Sequence, residues 1–266
     1  MQNDLNYLDR NEFNFTPSQE VIDAINNFDI KKLAFYTRIY DKGKKSIFSE
    51  FLSELYNIDE SQIILGYGAE DLLKMAVHFF LTQEDGNKTI FIPKFSWWYY
   101  SSIAAEVGGK TLQYPVNEVE DTFAYDFEGI KAMIEKETPK ILLVASPNNP
   151  TGNGLTPEEL EKLVQMIPST SIMLVDEAYA SYVSSDISYV REMIAKYPNV
   201  VFCRTLSKFY GLPGLRWGFG FIGRNEQMDR FSKYANKYLG YDRMSEEIAI
   251  AAVKSDAHYR DIANVM

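Results

Sequence analysis

The chain has 266 residues, 46% hydrophobic and 24% charged, which supplies a sizeable core and excludes both a disordered polymer and a small disulfide-stapled scaffold. Asp and Glu number 37 against 27 Lys and Arg, a formal charge of −10 that repels nucleic-acid phosphates and anionic lipid, so neither is expected as a partner. The densest basic run, 42–45, places three lysines around a glycine and reads as a solvated turn.

The single cysteine, Cys203, rules out an intrachain disulfide framework, and within the apolar run 200–203 it is expected to pack as a small hydrophobe in a reducing compartment. No basic stretch followed by an apolar one opens the chain, and no uninterrupted apolar run approaches about eighteen residues, so a soluble cytoplasmic protein without a membrane partner is expected. His78 and His258 are too few for a Cys/His metal cluster and read as structural.

Taken from the N-terminus, short runs rich in β-branched residues predict strands over 62–66, 89–93, 110–114, 140–146, 172–177, 200–205 and 217–222. Helices are predicted between them over 69–81, 127–137, 157–166 and 187–196. Ile141-Leu142-Leu143-Val144 and Ile172-Met173-Leu174-Val175 are apolar without alternation, as strands covered on both faces are. Thr156-Pro157-Glu158-Glu159 is a helix start with a cap, a proline at the first helical position and acids in the first turn. From 225 to 266 the chain reads helical, with another start at Ser245-Glu246-Glu247. The fold class is therefore α/β, a three-layer sandwich around a mostly parallel seven-stranded sheet.

Ligands of such sheets bind beyond the carboxyl ends of the strands, and three of these ends are unusual. The first carries Ser146-Pro147-Asn148-Asn149-Pro150-Thr151-Gly152, the next Asp176-Glu177-Ala178-Tyr179, and the third Thr205-Leu206-Ser207-Lys208 followed by Gly211-Leu212-Pro213-Gly214-Leu215-Arg216. No Gly-x-Gly-x-x-Gly follows a strand and no Gly-Lys-Ser/Thr loop exists, which disfavours a dinucleotide or nucleoside-triphosphate site.

The ordered set Asn-Pro-Thr-Gly, Asp-x-x-Tyr and Ser-Lys with an arginine eight residues on resembles the fold-type I pyridoxal-phosphate-dependent aminotransferases of class I/II, nearest to the histidinol-phosphate aminotransferases, over nearly the whole chain. The resemblance implies pyridoxal 5'-phosphate as cofactor, an amino acid and a 2-oxo acid as substrates, and a homodimer. A cofactor of this kind needs a partly desolvated lysine to hold it covalently, and Lys208 fits. Thr205, Ser207 and Arg216 suit its dianionic phosphate, as do backbone amides at a helix start. Asp176 suits the ring nitrogen, whose proton a buried carboxylate retains.

The resemblance further assigns Asn149 and Tyr179 to the ring's phenolic oxygen, and the Gly68-Ala69-Glu70 turn to the phosphate through the amides of Ala69 and Glu70. One aromatic of the segment 95–100 stacks on the ring: Phe95 by its distance after Pro93, or Trp97 counted back from Gly108. Leu8 to Glu12 resembles a segment lying over the substrate, and Tyr40, preferred to Tyr36, the tyrosine that crosses to the partner subunit's phosphate. The expected division is 1–35 as an N-terminal segment over the site and 36–266 as the cofactor-binding large domain, its last thirty or so residues starting the helix toward a small domain. The arginine of that small domain, which holds the substrate α-carboxylate, has no counterpart, because Arg224, Arg230, Arg243 and Arg260 fall on helical stretches. The chain is accordingly expected to be a fragment or a truncated form. Another pyridoxal-phosphate activity on the same scaffold, a decarboxylase or lyase, and a cofactor-binding dimer with little activity are the alternatives.

Overall fold

The computed structural model describes residues 9–38, 43–83, 86–237 and 239–266. The chain passes through α1 (Gln19–Asn26), α2 (Ile47–Tyr56), β1 (Ile63–Gly66), α3 (Ala69–Leu81), β2 (Thr89–Pro93), α4 (Tyr99–Ala105), β3 (Lys110–Tyr114), β4 (Val116–Val119), β5 (Thr122–Tyr125) and α5 (Phe127–Lys136). It continues through β6 (Ile141–Ala145), α6 (Pro157–Met166), β7 (Ile172–Asp176), α7 (Ala180–Val183), α8 (Ser188–Lys196), β8 (Val200–Thr205), β9 (Gly218–Ile222), α9 (Glu226–Ala235), α10 (Arg243–Lys254) and α11 (Asp256–Ala263).

The seven predicted strands form one sheet in the order β1-β9-β8-β7-β6-β2-β3, and β4 and β5 make a separate antiparallel hairpin. Only β9 runs antiparallel to its neighbours, β1 and β8. The inner parallel strands β2, β6, β7 and β8 are buried along their whole length, which is why β6 and β7 carry no polar alternation, whereas β3, at the sheet edge, is largely exposed. Successive residues point to opposite sides, so Leu142 and Val144 enter one core while Ile141 and Leu143 enter the other. Each such side chain fully withdrawn from water contributes about 1.5–3 kcal/mol. Helices α3, α4 and α9 cover one face. The other face is covered by α1, α2, α5, α6, α8, α10 and α11, which completes three layers.

The capping box expected of Thr156 is present: its hydroxyl accepts from the Glu159 amide at 3.2 Å, and the Glu159 carboxylate accepts from the Thr156 amide at 2.8 Å. The helix start expected at Ser245 lies two residues earlier. Asp242 caps α10 by accepting from the Ser245 amide at 2.6 Å, so Ser245 sits inside the first turn. No helix among the described residues is long and apolar enough to cross a membrane.

One buried acid ties α10 to α2. Glu246 is 1% exposed and accepts from the hydroxyl of Ser46, the cap of α2, and burial pushes its carboxyl up to about 7 from 4.5. The folded chain thus holds a proton that the unfolded chain has lost. The stability associated with it is complete below about pH 4.5 and is lost as pH rises to about 7, a fall on the order of 3 kcal/mol. Urea unfolding of Glu246→Gln is expected to show that fall removed; stability curves of variant and parent that run parallel through this window would contradict it.

Candidate active site

The register of the sheet brings the three unusual strand ends to one edge. Ala145 pairs with Asp176, Asp176 with Cys203, Thr205 with Gly218, and Gly218 with Gly66. The loops carrying Asn149, Tyr179, Lys208 and Gly68 therefore leave the sheet side by side. The approach between β9 and the Gly68 turn is close, because a Cβ on Gly218 would lie 2.4 Å from the Gly68 carbonyl carbon. Gly68 has φ +87°, and a Cβ there would lie 2.8 Å from Nη2 of Arg216, so only glycine fits this turn.

That turn opens the 13-residue helix α3, whose first residue is Ala69, without any side-chain cap. The leading amides, those of Ala69 and Glu70 among them, consequently face the site with the positive end of the helix dipole. Arg216, itself left-handed at φ 55°, is anchored beside it: Nη2 donates to the Tyr67 carbonyl at 3.2 Å and Nη1 to the Pro213 carbonyl at 3.1 Å. Glu70 places a carboxylate 3.5 Å from the same guanidinium. The Thr205 and Ser207 hydroxyls lie 2.8 Å apart, and Thr205 Oγ1 also accepts from the Ser207 amide at 3.1 Å. A guanidinium, two hydroxyls and free helix amides make an anion site.

Asp176 ends β7 at 6% exposure. Its Oδ1 accepts from the Ala178 amide at 3.0 Å and its Oδ2 from the Tyr100 hydroxyl at 2.6 Å. Burial pushes the carboxyl up, against the lowering effect of Tyr100 and Ala178. Burial draws the half-buried Lys208 ammonium down, with Glu12 and Asp176 opposing and Arg216 assisting. Lys208 Nζ donates to the Arg10 carbonyl at 2.7 Å and stands 5.7 Å from the centre of the Tyr179 ring. The Tyr179 hydroxyl accepts from Asn11 Nδ2 at 2.8 Å. Residues 10 and 11 therefore lie against Lys208 and Tyr179. A cleft of about 280 Å³ opens alongside, lined by Asn11, Pro147, Asn148, Asn149, Pro150, Gly152, Tyr179 and Tyr182.

The two aromatic candidates face different surroundings. Phe95 turns toward the hairpin, its ring 6.2 Å from that of Phe123, and its carbonyl accepts from Asn148 Nδ2 at 2.6 Å. Trp97 meets Tyr100 edge-on at 5.7 Å and so adjoins the group that holds Asp176. Tyr36 is 74% exposed, and Tyr40 lies outside the described residues. Two contributors are not expected from the sequence. Tyr100 lies inside an aromatic run that reads as packing, and Asn11 lies in the overlying segment but carries no motif of its own.

An uncapped helix start beside a guanidinium, a half-buried amine and a buried carboxylate share one edge of a mostly parallel sheet, where α/β proteins bind small molecules. The sequence profile of the aminotransferase class I and II family matches residues 3–265, and the chain belongs to that family. It is 34% identical over 169 residues to histidinol-phosphate aminotransferase 1 of Mannheimia succiniciproducens, across 63% of this chain and 44% of that protein. Against the histidinol-phosphate aminotransferase of Staphylococcus carnosus, identity is 30% over 260 residues, across 97% of this chain and 70% of the relative. The crystal structure of histidinol-phosphate aminotransferase from Sinorhizobium meliloti in complex with pyridoxal-5'-phosphate matches with a TM-score of 0.80 at 25% identity, across 96% of this chain and 66% of that one. The matches thus span from 44% to 70% of the length of these relatives.

Proposed function

We propose that the chain is the cofactor-binding large domain of a pyridoxal-phosphate-dependent aminotransferase, which moves an amino group between an amino acid, or an amino-alcohol phosphate such as histidinol phosphate, and a 2-oxo acid. The observation that carries this reading is the meeting of Lys208, Asp176 and the uncapped start of α3 beside Arg216 at one sheet edge. The residues present fit the cofactor. The glycine turn at Gly68, which no side chain could occupy, leaves backbone amides for the phosphate, and Arg216, Thr205 and Ser207 add a guanidinium and two hydroxyls. When bound, pyridoxal phosphate supplies an electron-withdrawing ring that stabilises negative charge at the substrate α-carbon.

In this reading Asp176 faces the ring nitrogen and keeps its proton there, Trp97 or Phe95 covers the ring, and Asn149 and Tyr179 bond its phenolic oxygen. Lys208, whose ammonium burial has already weakened, moves a proton between the substrate Cα and the cofactor C4′ carbon. The segment 9–12 excludes water above it. The exposed Tyr36 and Trp98 support a homodimer in which partner chains complete the site, and the free buried thiol of Cys203 supports a cytoplasmic protein.

Product formation from an amino donor that depends on an added 2-oxo acid tests the reaction class; release of product without any 2-oxo acid would point to a lyase or decarboxylase instead. Asp176→Asn, nearly isosteric, is expected to leave the thermal melt of the protein close to that of the parent and to lower kcat by roughly 10²- to 10³-fold, since the ring nitrogen loses its charge partner. Turnover equal to the parent's would reduce Asp176 to a cap of the β7 turn.

A further inference from the structure

Tyr100 spans the distance from α4 to the end of β7. Its ring is 2% exposed, packed in the core between α3, α4 and the sheet, and its hydroxyl reaches Asp176 Oδ2 at 2.6 Å across 76 positions of sequence. Asp176 Oδ1 is held separately by the Ala178 amide at 3.0 Å. Each carboxylate oxygen thus has one fixed donor from the protein and keeps lone-pair capacity for one further partner. Hydrogen bonds to the charged form favour it, which offsets the burial that disfavours it. Burial raises the Tyr100 phenol well above its ordinary value, and Asp176 adds to this, so the phenol stays protonated and remains a donor at any working pH.

We propose that Tyr100 is a positioning residue that holds the Asp176 carboxylate in place for the ring nitrogen of the bound cofactor. The inference rests on the site assigned above. A carboxylate and a ring nitrogen share one proton, and a donor on the far side of the carboxylate makes it the weaker base of the two, so the proton stays on nitrogen. Without Tyr100 the proton moves toward Asp176 and the ring withdraws fewer electrons. One turn of chain carries a second part of the same arrangement: Trp97 is three residues earlier, its carbonyl accepts from the Tyr100 amide at 3.3 Å, and its ring packs edge-on against Tyr100. The start of α4 therefore fixes the carboxylate partner and a flat aromatic together.

The test is Tyr100→Phe in the full chain, compared with Asp176→Asn and the double variant. Four quantities are read: the thermal melt of the cofactor-free protein, the cofactor dissociation constant, the pH titration of the bound cofactor's visible spectrum, and kcat separately from KM. Tyr100→Phe is expected to lower kcat roughly 10- to 100-fold with KM little changed, the range of one hydrogen bond to a charged group. It should also shift the spectral titration and weaken cofactor binding. In the Asp176→Asn background it should add less than about twofold, because the charge it serves is gone. Should Tyr100→Phe alone fail to fold, the double variant, which has no buried charge to leave unpaired, supplies that comparison. A lower melting temperature with unaltered spectrum and kcat, or a full additional loss in the Asp176→Asn background, would overturn the proposal. If Asp176→Asn itself leaves spectrum and turnover unchanged, it is the assignment of the site that fails.

Discussion

Lys208→Ala is expected to remove the visible absorbance of tightly bound cofactor and to lower turnover by roughly 10⁴-fold or more. In the proposed function two tasks would fall on this one side chain, the covalent hold on the cofactor and the transfer of the substrate proton, and alanine supplies neither. The surroundings of Lys208 are compatible with both. It follows β8, its ammonium is half-buried, and burial draws it below the ordinary lysine range with help from Arg216. Its hydrogen bond is to a backbone carbonyl, that of Arg10, rather than to a carboxylate that would fix its charge. Because the side chain is not part of either hydrophobic core, the variant should melt near the parent temperature. Absorbance and single-turnover measurements check the prediction, and turnover within about tenfold of the parent would contradict it.

A second large effect concerns stability. Arg204 and Glu177 are 3% and 2% exposed, and Arg204 Nε donates to Glu177 Oε2 at 2.7 Å. Tyr189 on α8 donates to Glu177 Oε1 at 2.5 Å and accepts from Arg204 Nη2 at 3.0 Å. Glu177 follows Asp176 directly and Arg204 precedes Thr205, so this buried pair fixes two neighbouring strand ends from behind the site. Arg204→Met leaves a buried carboxylate with a phenol as its remaining side-chain partner and is expected to cost about 3–5 kcal/mol of unfolding free energy. Replacing both residues by apolar ones of similar volume should cost much less, since no charge is then stranded. Denaturant unfolding of the single and double variants measures the difference; equal losses would show that the pair contributes through packing alone.

Much of this arrangement is legible in the sequence because strands buried on both faces leave unbroken apolar runs, and their ends are then marked by polar residues. All seven strands of the sheet and the helices α3, α5, α6 and α8 lie where the sequence predicts them, to within a residue at either end, although the edge strand β3 is mixed in polarity and largely exposed. The hairpin β4–β5 leaves no such trace: its strands are short and mostly exposed, so Val116–Val119 reads as loop. Helix α4 is hidden by its composition, since Tyr99 and Tyr100 favour strands as readily as helices and no side chain caps it. The start of α10 is misplaced by local sequence because Ser245 looks like a cap while Asp242, three residues earlier, takes that role.

The same division runs through the site. Lys208, Asp176, Asn149, Tyr179 and Arg216 stand at strand ends, where spacing alone brings them to one edge. Tyr100 and the Arg204–Glu177 pair depend on contacts across 76 and 27 positions, and nothing local signals such partners. Asn11 reaches Tyr179 across 168 positions, although the segment containing it is expected over the site. Counting does not separate Phe95 from Trp97, because the run 95–100 offers aromatics at nearly every position. In the structure Trp97 alone of the two touches the Tyr100 ring, while Phe95 packs on Phe123.

The central claim is that this chain holds pyridoxal phosphate through Lys208 at the carboxyl edge of its sheet. Reduction of the cofactor-loaded wild-type protein with borohydride, followed by proteolysis and mass mapping of the labelled peptide, tests it most directly. The account predicts a single reduced adduct on the peptide that carries Thr205, Ser207 and Lys208; an adduct on any other lysine, or none after loading, would contradict it.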